Sequence, residues 1–218
     1  MSSTATTSII LIRHGETAWN AERRLQGHID IGLNERGLAQ ARALGQALAQ
    51  TPLDAIIASD LQRAWQTAAA IGTGRALAVQ QDGALRERCY GGFEGLLYAD
   101  IEAAYPPQFA AWQARDIDAV MPAGERVAES FRQFYARAVA AILGWAARHP
   151  GATIAIVAHG GVLECAYRAA RGLALDTPRD FPVLNASINR FSVTDGVLAV
   201  QGWGEVDHLA PATLDELP

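Results

Sequence analysis

Ser8-Ile9-Ile10-Leu11-Ile12-Arg13-His14-Gly15-Glu16-Thr17-Ala18-Trp19-Asn20 is the stretch whose reading decides the fold. Four apolar residues in a row, Ile9 to Ile12, cannot form a one-faced surface element; their shortness and β-branched content predict a strand buried on both faces. Arg13 and His14 then fall at its carboxyl end, the edge where open α/β sheets bind ligands. Arg13 offers a permanent fork of donors suited to phosphate oxygens, and His14 is a nucleophile near neutral pH if one ring nitrogen is free. Gly15 permits close backbone approach and adds no side chain that would block attack.

The same grammar recurs at Thr153-Ile-Ala-Ile-Val-Ala158, a second buried strand that stops at His159-Gly160-Gly161. If the two edges lie side by side, His14 and His159 meet. Between them, Leu53 to Ala58 reads as another short strand ending at Ser59-Asp60, which are placed to cap a helix that carries Arg63 in its first turn. Asn34 reads as the cap of an earlier helix with Leu38, Ala41, Leu44 and Leu48 on one stripe, and Ala76 to Gln80 as a third strand. Asp82 to Gly95 is a glycine-rich, charged loop. Leu96 to Arg115 is helical, broken at Pro106-Pro107, and its aromatic residues suit either a cap over a pocket or ordinary core packing. From Glu125 to His149 the apolar residues Val127, Phe131, Phe134, Ala138, Ile142 and Trp145 predict one long helix. Asp195-Gly196 is a two-residue hairpin signal between strands at 187–194 and 197–203. The expected fold is a three-layer α/β/α sandwich with a mostly parallel sheet and an antiparallel edge strand. The expected organisation is a single domain over 1–218 with a helical cap insertion at about 92–124.

Composition narrows the partners. The 218 residues are half hydrophobic, yet no run approaches the roughly 20 apolar residues that cross a bilayer, and the net charge of −5 argues against nucleic acid. Met1 to Ser8 lacks the basic start of a secretory signal and reads as a frayed end. Cys89 and Cys165 fit no zinc motif and no disulfide framework, so the cytoplasm is the expected location. No internal repeat or low-complexity tract is present. The hairpin edge leaves room for a homodimer.

Leu11-Ile12-Arg13-His14-Gly15-Glu16-Thr17 resembles the signature of the histidine phosphatase superfamily, the group that contains cofactor-dependent phosphoglycerate mutases. Asn20, Gln26-Gly27, Ser59 to Ala64 with Thr67-Ala68, Leu85-Arg86-Glu87 with Tyr90-Gly91 and Glu94-Gly95, and Ala158 to Gly161 follow in the order of that family. The resemblance implies that His14 attacks phosphorus, with Arg13, Arg63 and His159 around the phosphoryl oxygens, and that Asn20 and the Gly160 N–H are further donors. It makes Glu87 the acid for the departing alkoxide and then the base that activates water. Gln26, Gly27 and Tyr90 fall among the substrate-binding positions.

Read singly, Arg63 would be a surface charge, Glu87 between Arg86 and Arg88 a salt-bridged loop residue, Trp19 packing, and His28 and His208 surface or rim residues. His149 reads as helix C-terminal and Cys165 as a buried small hydrophobe. No metal is expected, because the arginines carry the charge work, and no cofactor beyond a 2,3-bisphosphoglycerate primer if the protein is a mutase.

The expected substrate is a small phosphorylated metabolite. The expected reaction is hydrolysis of a phosphomonoester, with mutase isomerisation the alternative and a non-catalytic phospho-ligand binder the weakest reading. The span from Glu87 to His159 looks shorter than in dedicated glycolytic mutases, and the residues from Arg13 to His28 look more like bacterial broad-specificity and α-ribazole-type phosphatases. Besides Arg115, few basic residues are expected near the cap to read a second anionic group.

Overall fold

The structure, a computed structural model, describes residues 5–209. Its centre is a six-stranded sheet in the order β3-β2-β4-β1-β5-β6. Strands β1 (Thr7–Arg13), β2 (Ala55–Ala58), β3 (Val79–Gln81) and β4 (Thr153–Ala158) run parallel, and β5 (Ile188–Thr194) and β6 (Val197–Glu205) form the antiparallel hairpin. The hairpin is the expected antiparallel edge of the sheet, with β6 outermost and β5 pairing directly with β1. Asp195 and Gly196 both have positive φ, 51° and 76°, as a primed turn requires. The third strand lies slightly later than its apolar residues suggest, and Thr7 and Ser8, read as part of a frayed start, open β1. Met1 to Thr4 of that start, and the tail from Ala210, lie outside the described residues.

Burial on both faces of β1 follows from alternation. Ile9 and Leu11 pack with Phe134, Ile142 and Trp145 of α6 (Phe131–Arg148) and with α7 (Gly160–Arg171). Ile10 and Ile12 pack with Leu44 of α2 (Glu35–Ala47) and Ala64, Ala68 and Ile71 of α3 (Gln62–Gly72). Two helices on each face make the chain a three-layer α/β/α fold. A third cluster joins Leu25, Phe93, Ile101 and Met121 to the aromatic residues of α4 (Tyr98–Ala104) and α5 (Pro106–Gln113). Pro106 starts α5 where its missing N–H costs nothing.

Three local expectations are corrected. The long helix begins at Phe131, because Ser130 and Gln133 close a reciprocal capping box; Val127 precedes it, 85% exposed, outside any helix or strand. Leu38 faces outward, 40% exposed, because Gln40 turns in to accept the Glu16 N–H. Helix α3 is not capped by Ser59 or Asp60: Asp30 accepts the Gln62 N–H, and Asp60 pairs with Arg86. A short carboxylate from another loop satisfies that helix start, which no local pattern could signal.

Candidate active site

Register places the two histidines. Arg13 pairs with Ala158 in the β1–β4 ladder, so His14 and His159 leave adjacent strand ends, and their rings meet edge to face at 5.2 Å. His14 Nδ1 lies 2.7 Å from the Gly15 carbonyl, which can only accept; Nδ1 therefore carries the proton and Nε2 holds the lone pair. His159 has the opposite tautomer. Its Nδ1 accepts from Arg63 Nε at 3.3 Å, leaving the proton on Nε2, a buried atom with no hydrogen-bond partner among the described residues.

Both imidazoles are held well below the usual histidine pKa. Burial is the largest cause for each, followed by the Arg63 guanidinium, with Arg13 adding to it. Burial also pulls Arg63 down to about 10, which leaves it charged at neutral pH. Arg63 is fixed by donating to the Gly27 and Ile29 carbonyls at 2.8 and 3.0 Å, and Arg13 Nη1 donates to the Val183 carbonyl.

The loop after β1 is closely fitted. A Cβ on Gly15 would lie 2.6 Å from the Gly37 carbonyl oxygen, so the expected close backbone approach is real. Thr17 caps α1 (Ala18–Ala21), with Asn20 returning the bond in a capping box, and also donates to Gln26 Oε1. Gly27 adopts φ +51°, and a Cβ there would lie 2.0 Å from Glu94 Oε1. That carboxylate accepts the backbone N–H groups of His28 and Tyr90, tying the first loop to the Glu87 loop.

Arg13, His14, Asn20, Gln26, Gly27, Arg63, Glu87, Tyr90 and Gly160 all line one cavity of about 440 Å³. His159 lies behind its wall, fully buried against His14 and Arg63. Glu87 is held at both oxygens: Oε1 accepts from its neighbour's N–H at 2.8 Å, and Oε2 from Gly161 N at 3.0 Å. Gly160 opens α7, whose first turn faces the cavity through Gly160 and Gly161. Burial raises the Tyr90 phenol well above its ordinary value, keeping it neutral.

Several lining residues escaped the sequence reading. Trp19 lines the cavity, with the Arg24 guanidinium 5.4 Å from its ring centre. Asn185 donates to the His14 carbonyl at 3.0 Å, from a loop with no recognisable pattern. The lining is also more basic than expected, with Arg23, Arg24, Arg115 and Arg179 facing the same cavity as Glu164. Arg115 and Arg168 bond Glu164 Oε1. Tyr98 and Trp112 reach the cavity, whereas Tyr105 and Phe109 pack in the cluster behind, so the aromatic stretch serves both readings. His28 and His208 are half-buried, their Nε2 atoms donating to the Glu87 and Ala186 carbonyls, rather than simple surface groups. Cys89 and Cys165 are buried free thiols, both pushed up by burial.

A family model for the histidine phosphatase superfamily (branch 1) matches residues 9–206. Phosphoglycerate mutase-like protein 4 of Arabidopsis thaliana is 37% identical over 205 residues, which are 92% of this chain and 86% of that protein. The metal-independent phosphoserine phosphatase of the same plant is 36% identical over 208 residues, 94% of this chain and 84% of that protein. Among solved structures, Bacillus stearothermophilus YhfR matches with a TM-score of 0.84 at 36% identity, covering 93% of this chain and 98% of that one. A family match that runs from the first buried strand to the end of the last one, on a chain whose two strand-end histidines meet at one cavity, has one conclusion: the chain belongs to the histidine phosphatase superfamily.

Proposed function

We propose that the protein is a phosphomonoester hydrolase that works through a phosphohistidine on His14, without a metal, on a small phosphorylated metabolite. The observation that carries this reading is the His14 ring itself: Nδ1 is fixed as donor to Gly15, and burial with two guanidinium groups keeps Nε2 unprotonated. In the first step Nε2 forms a bond to phosphorus as the ester P–O bond breaks, and Glu87 gives its proton to the leaving alkoxide. Arg13, Arg63 and the His159 Nε2–H oppose the charge on the phosphoryl oxygens, joined by Asn20 and the Gly160 N–H. In the second step water attacks phosphorus, Glu87 takes its proton, the N–P bond breaks, and phosphate leaves.

The mutase reading keeps the same first step and returns the phosphoryl group to another hydroxyl, with 2,3-bisphosphoglycerate as primer. The basic rim favours it, since Arg23 and Arg24 could hold a second anionic group, as does the likeness to a protein named phosphoglycerate mutase-like. Hydrolysis is preferred because the likeness to a metal-independent phosphoserine phosphatase is equally long, and the two helices that bring Tyr98 and Trp112 to the cavity, α4 and α5, are short. Two buried free thiols suit a reducing, cytoplasmic setting. The test is to supply 3-phosphoglycerate with and without 2,3-bisphosphoglycerate. Inorganic phosphate as product in both cases supports the hydrolase, and primer-dependent 2-phosphoglycerate makes the protein a mutase.

A further inference from the structure

The segment that presents Glu87 has only a single 3-10 turn, Gly83–Leu85, and no strand or longer helix of its own, yet it is held from behind by side chains to which the proposed reaction gives no part. Arg137, in α6, donates to three backbone carbonyls of this segment: Ala84 at 2.9 Å, Arg86 at 3.0 Å and Glu87 at 3.1 Å. The same guanidinium is gripped by Glu129, with Nε to Oε1 at 2.7 Å and Nη2 to Oε2 at 2.6 Å. Glu129 in turn reaches the segment on its own account. Its Oε2 accepts the Cys89 N–H at 2.9 Å, and its backbone N–H donates to the Cys89 carbonyl at 2.9 Å. His28 Nε2 adds a further donor to the Glu87 carbonyl at 2.8 Å.

We infer that Arg137, oriented by Glu129, is a positioning residue that sets the height of the Glu87 carboxyl above the substrate's leaving oxygen. The inference rests on the reading of Glu87 as the acid. A guanidinium spreads its donors in one rigid plane, so three carbonyls along a turn of chain are fixed relative to one another and to α6. That geometry fits no simple surface ion pair. Helix α6 also carries Phe134, whose ring lies 5.1 Å from the Arg137 guanidinium carbon and against Gly161, the residue whose N–H holds Glu87 Oε2. One helix therefore fixes the acid's backbone from one side and abuts the partner of its carboxylate on the other. Without the two side chains, the backbone of residues 84–89 loses four hydrogen bonds, three to Arg137 and one to Glu129 Oε2, and keeps the backbone bond from the Glu129 N–H. Small displacements of an acid from its proton acceptor are costly in rate.

The test uses the whole protein and reads kcat/KM, which ends with formation of the phosphoenzyme and so reports the acid rather than the later water attack. An alkyl ester, glycerol 2-phosphate, needs its alkoxide protonated; p-nitrophenyl phosphate, with a good leaving group, needs this far less. Arg137→Met is expected to lower kcat/KM on the alkyl ester by about 100-fold, within the range of general acid catalysis, and on the aryl ester several-fold at most. Arg137→Lys, which keeps one donor, is expected to recover part of the alkyl activity. Glu129→Gln, which keeps shape and removes the grip on the guanidinium, is expected to show the same contrast in smaller measure, and it decides the question if Arg137→Met does not fold. Equal losses on both substrates, or none on either, overturn the positioning role. Glu87→Gln is the control that separates the two claims. If it shows the contrast and the Arg137 and Glu129 variants do not, the clamp is wrong and the acid stands; if Glu87→Gln itself shows no contrast, the acid assignment fails.

Discussion

His14 and His159 stand at the ends of neighbouring parallel strands with their rings edge to face at 5.2 Å, and their tautomers are opposite. His14 keeps its proton on Nδ1 for the Gly15 carbonyl, while His159 keeps its proton on Nε2 because Nδ1 accepts from Arg63. One ring thus has a lone pair to give and the other a hydrogen, although both are the same residue type at equivalent strand ends.

The pH dependence of stability follows from that burial. Both rings are held well below the ordinary histidine value of 6.5, so the unfolded chain binds more protons than the folded one between the folded pKa and 6.5. Stability should therefore fall as pH drops below 6.5, by up to about 1.4 kcal/mol per pH unit for each ring. Urea unfolding of the native protein and of His14→Gln across this range checks it. The variant, with one buried ring fewer, should show the shallower slope, and equal slopes would refute the depressed pKa of His14.

Gly161→Ala tests the seat of the carboxylate. A Cβ there would lie 2.2 Å from Glu87 Oε1 and 2.8 Å from the Phe134 ring, which is itself buried. The carboxylate must swing away, and kcat/KM on an alkyl phosphate should fall by about 100-fold. A fall of less than about threefold would show that Glu87 need not sit where Gly161 holds it.

Much of this site can be read in the chain itself, for physical reasons. Ile9 to Ile12 and Ile154 to Ala158 are runs too apolar and too short for anything but strands buried on both faces, and each one's last residues fix where its histidine must emerge. The Asp195-Gly196 turn is legible because both residues must tolerate positive φ. Contacts between distant segments are not legible in this way. Asp30 as the cap of α3, Asn185 on the His14 carbonyl and Arg137 on the Glu87 segment depend on packing that no local period encodes. The start of α6 was available in principle: Ser130-x-x-Gln133 is a capping-box pattern, masked by the apolar Val127 and Ala128 just before it.

The basic rim bears on substrate choice. Arg23, with φ 55° in the left-handed region, is an exposed arginine on the cavity lining. Arg23→Ala should raise KM for 3-phosphoglycerate about fivefold, the scale of one exposed charge pair, and leave p-nitrophenyl phosphate nearly unaffected. Equal effects on the two substrates would mean that Arg23 does not read the second anionic group.

No group of three or more histidine, cysteine, aspartate or glutamate side chains that could hold a metal ion occurs among the described residues. Hydrolysis of p-nitrophenyl phosphate should accordingly persist in excess EDTA. Loss of activity that a divalent ion restores would contradict the arginine-based chemistry.

The central claim is that phosphorus passes through a covalent bond to one ring. Rapid acid-free quenching during turnover of a radiolabelled phosphate ester, followed by peptide mapping, tests it most directly. Label should survive alkali, be released by acid and map to the peptide containing His14, with none in His14→Ala. Label on another residue, or turnover by His14→Ala at the native rate, would contradict it.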